Sequence, residues 1–460
     1  MSEKSGALPK VAIAENLATS IAALADRRMP AEVRETAERL LIDVAGLCLV
    51  AASTDYVERA AAAWTEGGSA TVIGQGLTRS VSAAAFINGT ACHGEDYDDT
   101  FEGGPVHAGA VIVPAVLAAA EENGSTGADV LRGLAVGTEM ICRLSVVIPK
   151  AVHKAGFHPT AVFGTMAAAA AVASTLRLNK QQITDALGVA GSMAGGIIEY
   201  LAEGTWTKRM HPGWAAQAGL RAAYLGRAGF SGPRTVFEGV HGLFNGFAHA
   251  QTGDWHALVG GFGETWVTPK LAFKPYPCGT MIQPFIDCAI RLRAMGVKAS
   301  EIRAITCETA EGILHRLWEP LAAKQRPPNG YAAKFATPYC IAAGIVHGAV
   351  GLEHFTDAAV KDKEVLALAS KVSFVVDPVN PYPKRFTGHV RAELNDGRTI
   401  EERQSDMRGG AEAPLSRAEI EAKFMANARH GGWSETRAQA ALELATSLLD
   451  AKAIDLAAWR

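Results

Sequence analysis

The sequence predicts a mainly α protein, a large helical domain interrupted by a smaller inserted α/β domain. Three observations lead there. Ala- and Leu-rich stretches of helical periodicity fill roughly the first 270 residues. β-like runs appear only after Lys270, where Pro275, Pro277 and Gly279 break the chain. Helical periodicity then returns from Ser416. The predicted division is 1–270 for the first part of the helical domain, 271–408 for the inserted domain and 409–460 for the C-terminal part of the helical domain.

In chain order, Pro30 opens a segment that places Val33, Ala37, Leu40, Leu41, Val44 and Cys48 on one stripe, and proline suits a helix start. Similar periodic stretches recur at 79–92, 109–122, 127–142, 160–176, 180–197, 212–229 and 283–295, many separated by Gly or Asn. The β-like runs are Ile302 to Thr309, Val372 to Val376 and His389 to Leu394. Asn395-Asp396-Gly397 joins the last to Thr399-Ile400-Glu401, a hairpin signal. Helices are predicted again over Ala418 to Phe424 and Ser434 to Ala451.

Composition excludes several functions. With 460 residues and 48% hydrophobic content the chain can bury a large core. The 44 Lys+Arg against 47 Asp+Glu leave a net charge of -3, no field for nucleic acid or an anionic membrane, so an anionic ligand must be held locally. The most apolar stretches, such as Val106 to Ala120 and Ala161 to Thr175, are shorter than the ~18 to 20 residues of a membrane span. Met1 to Ile13 carry no continuous apolar stretch ahead of a small-residue cleavage site, which predicts a cytoplasmic protein without a signal peptide. The seven cysteines contain no CxxC pair and read as buried thiols.

Familiar cofactor and nucleophile motifs are missing. Gly74-Gln75-Gly76 lacks the third glycine of a dinucleotide fingerprint, and neither a P-loop nor HExxH occurs. Gly191-Ser192 does not sit in a GxSxG elbow. No cofactor and no metal are predicted.

Five polar constellations remain. His93, Asp96 and Thr100 share a face at helical spacing within the cluster running from His93 to Thr100, which also reads as a solvated acidic helix end or a metal site. An EF-hand is ruled out because Phe101 occupies the position that needs glycine. His107 stands between a Gly-rich loop and an apolar helix. His158 immediately precedes the helix from Ala161, where backbone N–H groups can receive an anion, although an ordinary pre-helix turn reads equally. Lys208, Arg209 and His211, flanked by Trp206 and Trp214, read as a turn between helical stretches, either a carboxylate pocket or a basic surface turn. Lys274 and Tyr276 mark the domain junction. His, Lys, Asp and Tyr without metal or nucleotide suffice to move a proton beside a carboxylate and to hold the resulting enolate charge.

Taken together, Asn88-Gly-Thr-Ala-Cys-His93 with Asp96-Tyr-Asp-Asp-Thr100, His107-Ala-Gly, Gly156-Phe-His158-Pro-Thr, Thr207-Lys208 with His211, Lys274-Pro-Tyr-Pro-Cys278 and Lys334-Phe-Ala-Thr-Pro-Tyr339 resemble the MmgE/PrpD family over nearly the whole chain. That family includes 2-methylcitrate dehydratases, cis-aconitate decarboxylases and iminodisuccinate epimerases. The resemblance implies a site on the helical domain, a lid role for the α/β domain, a homodimer and a small polycarboxylate substrate. By motif position it also implies Asp96, Thr100, His107, His158, Lys208 and Tyr339 as pocket residues. His93, Arg209 and Lys274 are added as substrate-binding candidates. The leading expectation is a cofactor-free lyase of the 2-methylcitrate dehydratase kind, with cis-aconitate-type decarboxylation and then epimerisation as alternatives, and a non-catalytic binding protein last. Three departures bear on the choice. His153 stands where epimerase members carry tyrosine, His107-Ala108-Gly109 replaces the His-Pro-Ser of the dehydratase branch, and Gln283 occupies a place often held by histidine.

Overall fold

The computed structural model describes residues 11–460. The leader-free reading of the N-terminus rests mostly on residues 1–10, which lie outside the described residues. The protein is mainly α. It divides into two compact units, one running to Leu271 and resuming over Ser416–Arg460, the other Ala272–Leu415.

Several helices of the first unit bury nearly every side. Pro30 precedes Ala31–Ala51 as expected, and the stripe from Val33 to Cys48 is buried. Gly109–Asn123 and Pro159–Thr175 are buried almost throughout, which explains their Ala-rich, non-amphipathic sequences: a helix surrounded by others has no polar face. Packing tolerates little extra volume. A methyl group at Gly46 would lie 3.0 Å from the Phe424 ring and 3.1 Å from its Cα, so glycine lets the C-terminal Arg417–His430 helix approach Ala31–Ala51 closely.

One predicted boundary is corrected. The periodic stretch is predicted from 212, but the helix spans Thr207–Arg227 with Pro212 inside it. Proline there forfeits one intrahelical bond to the Lys208 carbonyl, and burial of Ala215, Ala216, Leu220 and Ala223 on the same helix outweighs that loss. Lys208, Arg209 and His211 therefore lie on the first two turns of a helix, not in a turn between helices. Helix Lys180–Met193 stops before the predicted 197, where Gly195 and Gly196 follow.

The second unit has a four-stranded mixed sheet ordered Val372–Val376, Ile302–Thr309, Gly388–Leu394, Thr399–Gln404. The first pair is parallel and the other two antiparallel. The predicted hairpin forms at Asn395-Asp396-Gly397, with Gly397 at φ 88° and Leu394 N–H donating to the Arg398 carbonyl at 2.8 Å. Helices Gln283–Ala294 and Thr337–His347 supply much of its core, with Phe285, Trp318 and Tyr339 among the largest buried side chains. All seven cysteines are buried and unpaired by disulfides. No single helix among the described residues is long and apolar enough to cross a membrane.

Candidate active site

The acidic cluster folds as the end of a helix followed by a tight loop. Helix Val81–His93 is buried at every position and ends on His93. Asp96 then takes a left-handed backbone (φ 53°), which aspartate tolerates better than most residues. The turn sends its acids to different partners. Asp96 forms an ion pair with Lys208. Asp98 Oδ2 lies 2.6 Å from His93 Nδ1. Asp99 accepts from the Ala108 and Gly109 N–H groups at 2.9 and 2.8 Å, at the start of helix Gly109–Asn123. None of these three is a solvated helix end, since each is at most 3% exposed. Burial, followed by the nearby Asp98 and Asp43 carboxylates, pushes Asp99 up to about 8 despite its two N–H donors.

His107 Nδ1 lies 2.7 Å from the Asp99 carbonyl oxygen. A carbonyl only accepts, so Nδ1 carries the proton and the neutral ring keeps its lone pair on Nε2. Asp98 Oδ2 is 3.5 Å from the same Nδ1 and supports positive charge on the ring when Nε2 takes up a proton. His93 is oriented likewise, and its buried Nε2 has no hydrogen-bond partner among the described residues. The His93 ring centroid is 4.8 Å from that of His107 and 5.9 Å from that of His158.

His158 stands immediately before helix Pro159–Thr175 without a side-chain capping bond, and its backbone N–H donates to the Gly196 carbonyl at 2.8 Å. Gly196 (φ 111°) cannot be replaced without strain. A Cβ there would sit 2.6 Å from Ala161 and 3.4 Å from the His211 ring. His158 Nδ1 and His211 Nδ1 are 3.1 Å apart, so one donates while the other accepts. Burial holds His158 well below the usual histidine range, helped by His93, His211, Lys208 and His107. Burial, then His93 and Lys208, lowers His211 to about 4. A cavity of about 540 Å³ opens beside His211, lined also by Tyr200, Glu199, Thr207 and Trp214.

The first unit thus brings together His93, Asp96, His107, His158 and Lys208, with Thr100 buried at the end of the acid loop. Arg209 is on the same helix, its guanidinium 4.3 Å from the Tyr56 ring centroid, while the Tyr56 hydroxyl donates to Glu95 at 3.1 Å. Lys274 and Tyr339 belong to the second unit. Lys274 is 1% exposed. The Tyr339 hydroxyl donates to the His354 carbonyl at 2.7 Å, a bond internal to that unit. Gln283 braces the Lys274 loop: its side chain accepts from Tyr276 N–H at 3.1 Å and donates to the Tyr276 and Cys278 carbonyls at 3.0 and 3.1 Å.

His211, Asp98 and Asp99 were absent from the predicted site residues, although each lay inside a motif that was singled out. The signal for His211 was its i,i+3 spacing from Lys208, hidden by the helix start placed at Pro212. His93, Asp98 and His107 also offer ligand atoms within 4.8 Å of one another, close enough to hold a metal ion. The Asp98 and His93 atoms at 2.6 Å are, however, bonded to each other.

The sequence matches the profile of the MmgE/PrpD N-terminal domain over residues 15–256 and that of the MmgE/PrpD C-terminal domain over 276–448. It is 29% identical to a cis-aconitate decarboxylase-like protein of Aspergillus oryzae over 440 residues, 90% of each chain. It is 28% identical to the cis-aconitate decarboxylase of Homo sapiens over 429 residues, 90% of this chain and 88% of the human one. To the 2-methylcitrate dehydratase of Escherichia coli K12 it is 22% identical over 251 residues, 52% of this chain and 50% of the other.

Proposed function

The chain belongs to the MmgE/PrpD family, and on that premise we propose that it is a cofactor-free lyase that removes carbon dioxide from a cis-aconitate-like tricarboxylate. The observation that carries this reading is the surroundings of His158, a buried neutral imidazole on which His93, His107, His211 and Lys208 all act. Placing decarboxylation ahead of dehydration, the reverse of the order expected from sequence, rests on the relatives. Those aligned along 90% of the chain carry the decarboxylase name, and the dehydratase aligns along 52%.

In such an acid the bond between a methylene carbon and its carboxylate breaks and carbon dioxide leaves. The electron pair shifts into a new double bond, and the far alkene carbon takes a proton. The enzyme must therefore fix the remaining carboxylates, accommodate the developing negative charge and deliver one proton. Lys208, aimed by Asp96, suits the first two tasks. His158 suits the third, because an imidazolium formed where burial disfavours it gives up its proton readily, and His107 presents Nε2 as a second proton carrier. The same reading takes the working protein as a cytoplasmic homodimer.

The test is incubation with cis-aconitate and with 2-methylcitrate in deuterium oxide, followed by NMR. Loss of one carboxyl group with one solvent deuterium on carbon supports the proposal. Dehydration of 2-methylcitrate with cis-aconitate untouched would replace it with the dehydratase reading, and turnover of neither would remove it.

A further inference from the structure

Lys423 lies outside every motif described above, on the Arg417–His430 helix contributed by the last part of the chain. It is nevertheless 7% exposed and its ammonium group reaches the acid loop. Nζ is 2.7 Å from Asp43 Oδ1, donates to the Tyr97 carbonyl at 2.8 Å and sits 3.8 Å from the Tyr97 ring centroid. Asp43, on helix Ala31–Ala51, is itself 2% exposed. Tyr97 is the midpoint of the loop: Asp96 before it holds Lys208, Asp98 after it holds His93, and Asp99 holds the start of the helix that follows His107.

We propose that Lys423 is a positioning residue for the candidate active site. It anchors the loop at the Tyr97 backbone and ring, and by neutralising Asp43 it permits three acidic side chains, Asp43, Asp98 and Asp99, to be buried near one another. A buried ammonium satisfied by a carboxylate, a carbonyl and an aromatic face is held in one place, and so is whatever it grips. With the anchor gone, the loop drifts and Asp96 and Asp98 no longer aim Lys208 and His93. The proposal rests on the reading of this cluster as the place of reaction.

The test compares Lys423→Met, Asp43→Asn and the double variant in the full chain. Lys423→Met leaves Asp43 buried without its counter-ion and lowers Tm, and the double variant, which removes that charge, recovers most of the loss. If Lys423 positions the loop, kcat stays down about tenfold or more in both variants that lack it, because misplacement by about 1 Å is enough for such a loss. KM moves by a smaller factor, and backbone amides of residues 94–100 exchange hydrogen faster in both variants, while those of Pro159–Thr175 do not. Asp43→Asn alone, which keeps the grip on Tyr97, loses less activity than Lys423→Met.

Return of kcat together with Tm in the double variant would reduce Lys423 to a structural ion pair. Unchanged exchange at 94–100, or a loss in Asp43→Asn as heavy as in Lys423→Met, would also overturn the proposal. Exchange and Tm need no substrate. A wild-type protein inactive on every polycarboxylate therefore defeats the functional reading without deciding the anchor.

Discussion

Lys208, on the first turn of its helix, is ion-paired with Asp96, which precedes it by 112 positions and has a left-handed backbone. The lysine side chain is 13% exposed and the aspartate 4%. Read as a turn residue, Lys208 would be dispensable for folding; as half of a buried pair it is not. Lys208→Ala is expected to lower stability by about 3 kcal/mol, the penalty for leaving a buried charge without its partner. It should lower turnover roughly 100-fold or more. Adding Asp96→Asn should restore much of the stability and none of the turnover, as read by thermal melts and initial rates. Lys208→Arg separates two roles. Partial activity marks a carboxylate-binding cation, and near-zero activity with intact affinity marks proton transfer.

His107 has its Nδ1 proton committed to the Asp99 carbonyl at 2.7 Å. His107→Asn retains a donor near that carbonyl but has no counterpart of Nε2. Turnover is expected to fall about 100-fold or more with Tm within a few degrees of wild type. A variant within threefold of wild-type kcat would remove His107 from the proton path.

Asp99 gives a pH signature of known sign. Pushed up to about 8 from the ordinary aspartate value of 3.8, the folded protein's Asp99 holds its proton more tightly than the unfolded chain does. The associated stability is fully present below about pH 4 and is lost as pH rises through about 8. Asp99→Asn cannot titrate. Its stability deficit relative to wild type should therefore shrink steadily between pH 4 and pH 8 in denaturant titrations. A constant deficit would mean that Asp99 is ionised throughout.

The histidine pair titrates in the opposite sense. His211 is lowered to about 4 from 6.5. Between those values the unfolded chain takes up a proton that the folded protein refuses, so stability should fall as pH drops from about 6.5 toward 4. His211→Gln, free of this linkage, should show a shallower fall over that interval.

Chelation is the simplest assay of the His93, Asp98 and His107 group. Because the Asp98 oxygen and the His93 Nδ1 are held by one another at 2.6 Å, turnover is expected to survive exhaustive chelator treatment. Complete loss, restored by one divalent ion, would assign the cluster to metal chemistry.

Periodicity located the helices of the first unit well because most of them are long, and the strands because each β-like run matched one strand of the sheet. Where proline opposed tertiary packing, at Pro212, the local rule was overridden and the site's basic residues were placed on the wrong kind of element. Most of the histidines and acids of the site could be nominated from sequence because they fall in short motifs. Which acid serves which base could not, since that depends on the left-handed turn at Asp96. Lys423 was out of reach altogether: it is one lysine in a helix whose pattern says nothing about a loop more than 300 residues earlier (|i−j| = 326 to Tyr97).

The division of the helical unit between the two ends of the chain has a consequence for biosynthesis. Asp43 leaves the ribosome well before its cationic partner on Arg417–His430, which emerges only after the whole of Ala272–Leu415 has been made. Throughout that interval the nascent N-terminal helices hold a carboxylate meant for burial but not yet neutralised, and they cannot close over it cheaply. Transcripts truncated before Ser416 should accordingly yield a chaperone-dependent, protease-sensitive product, even though every motif residue of the acid loop and its histidines has already been synthesised.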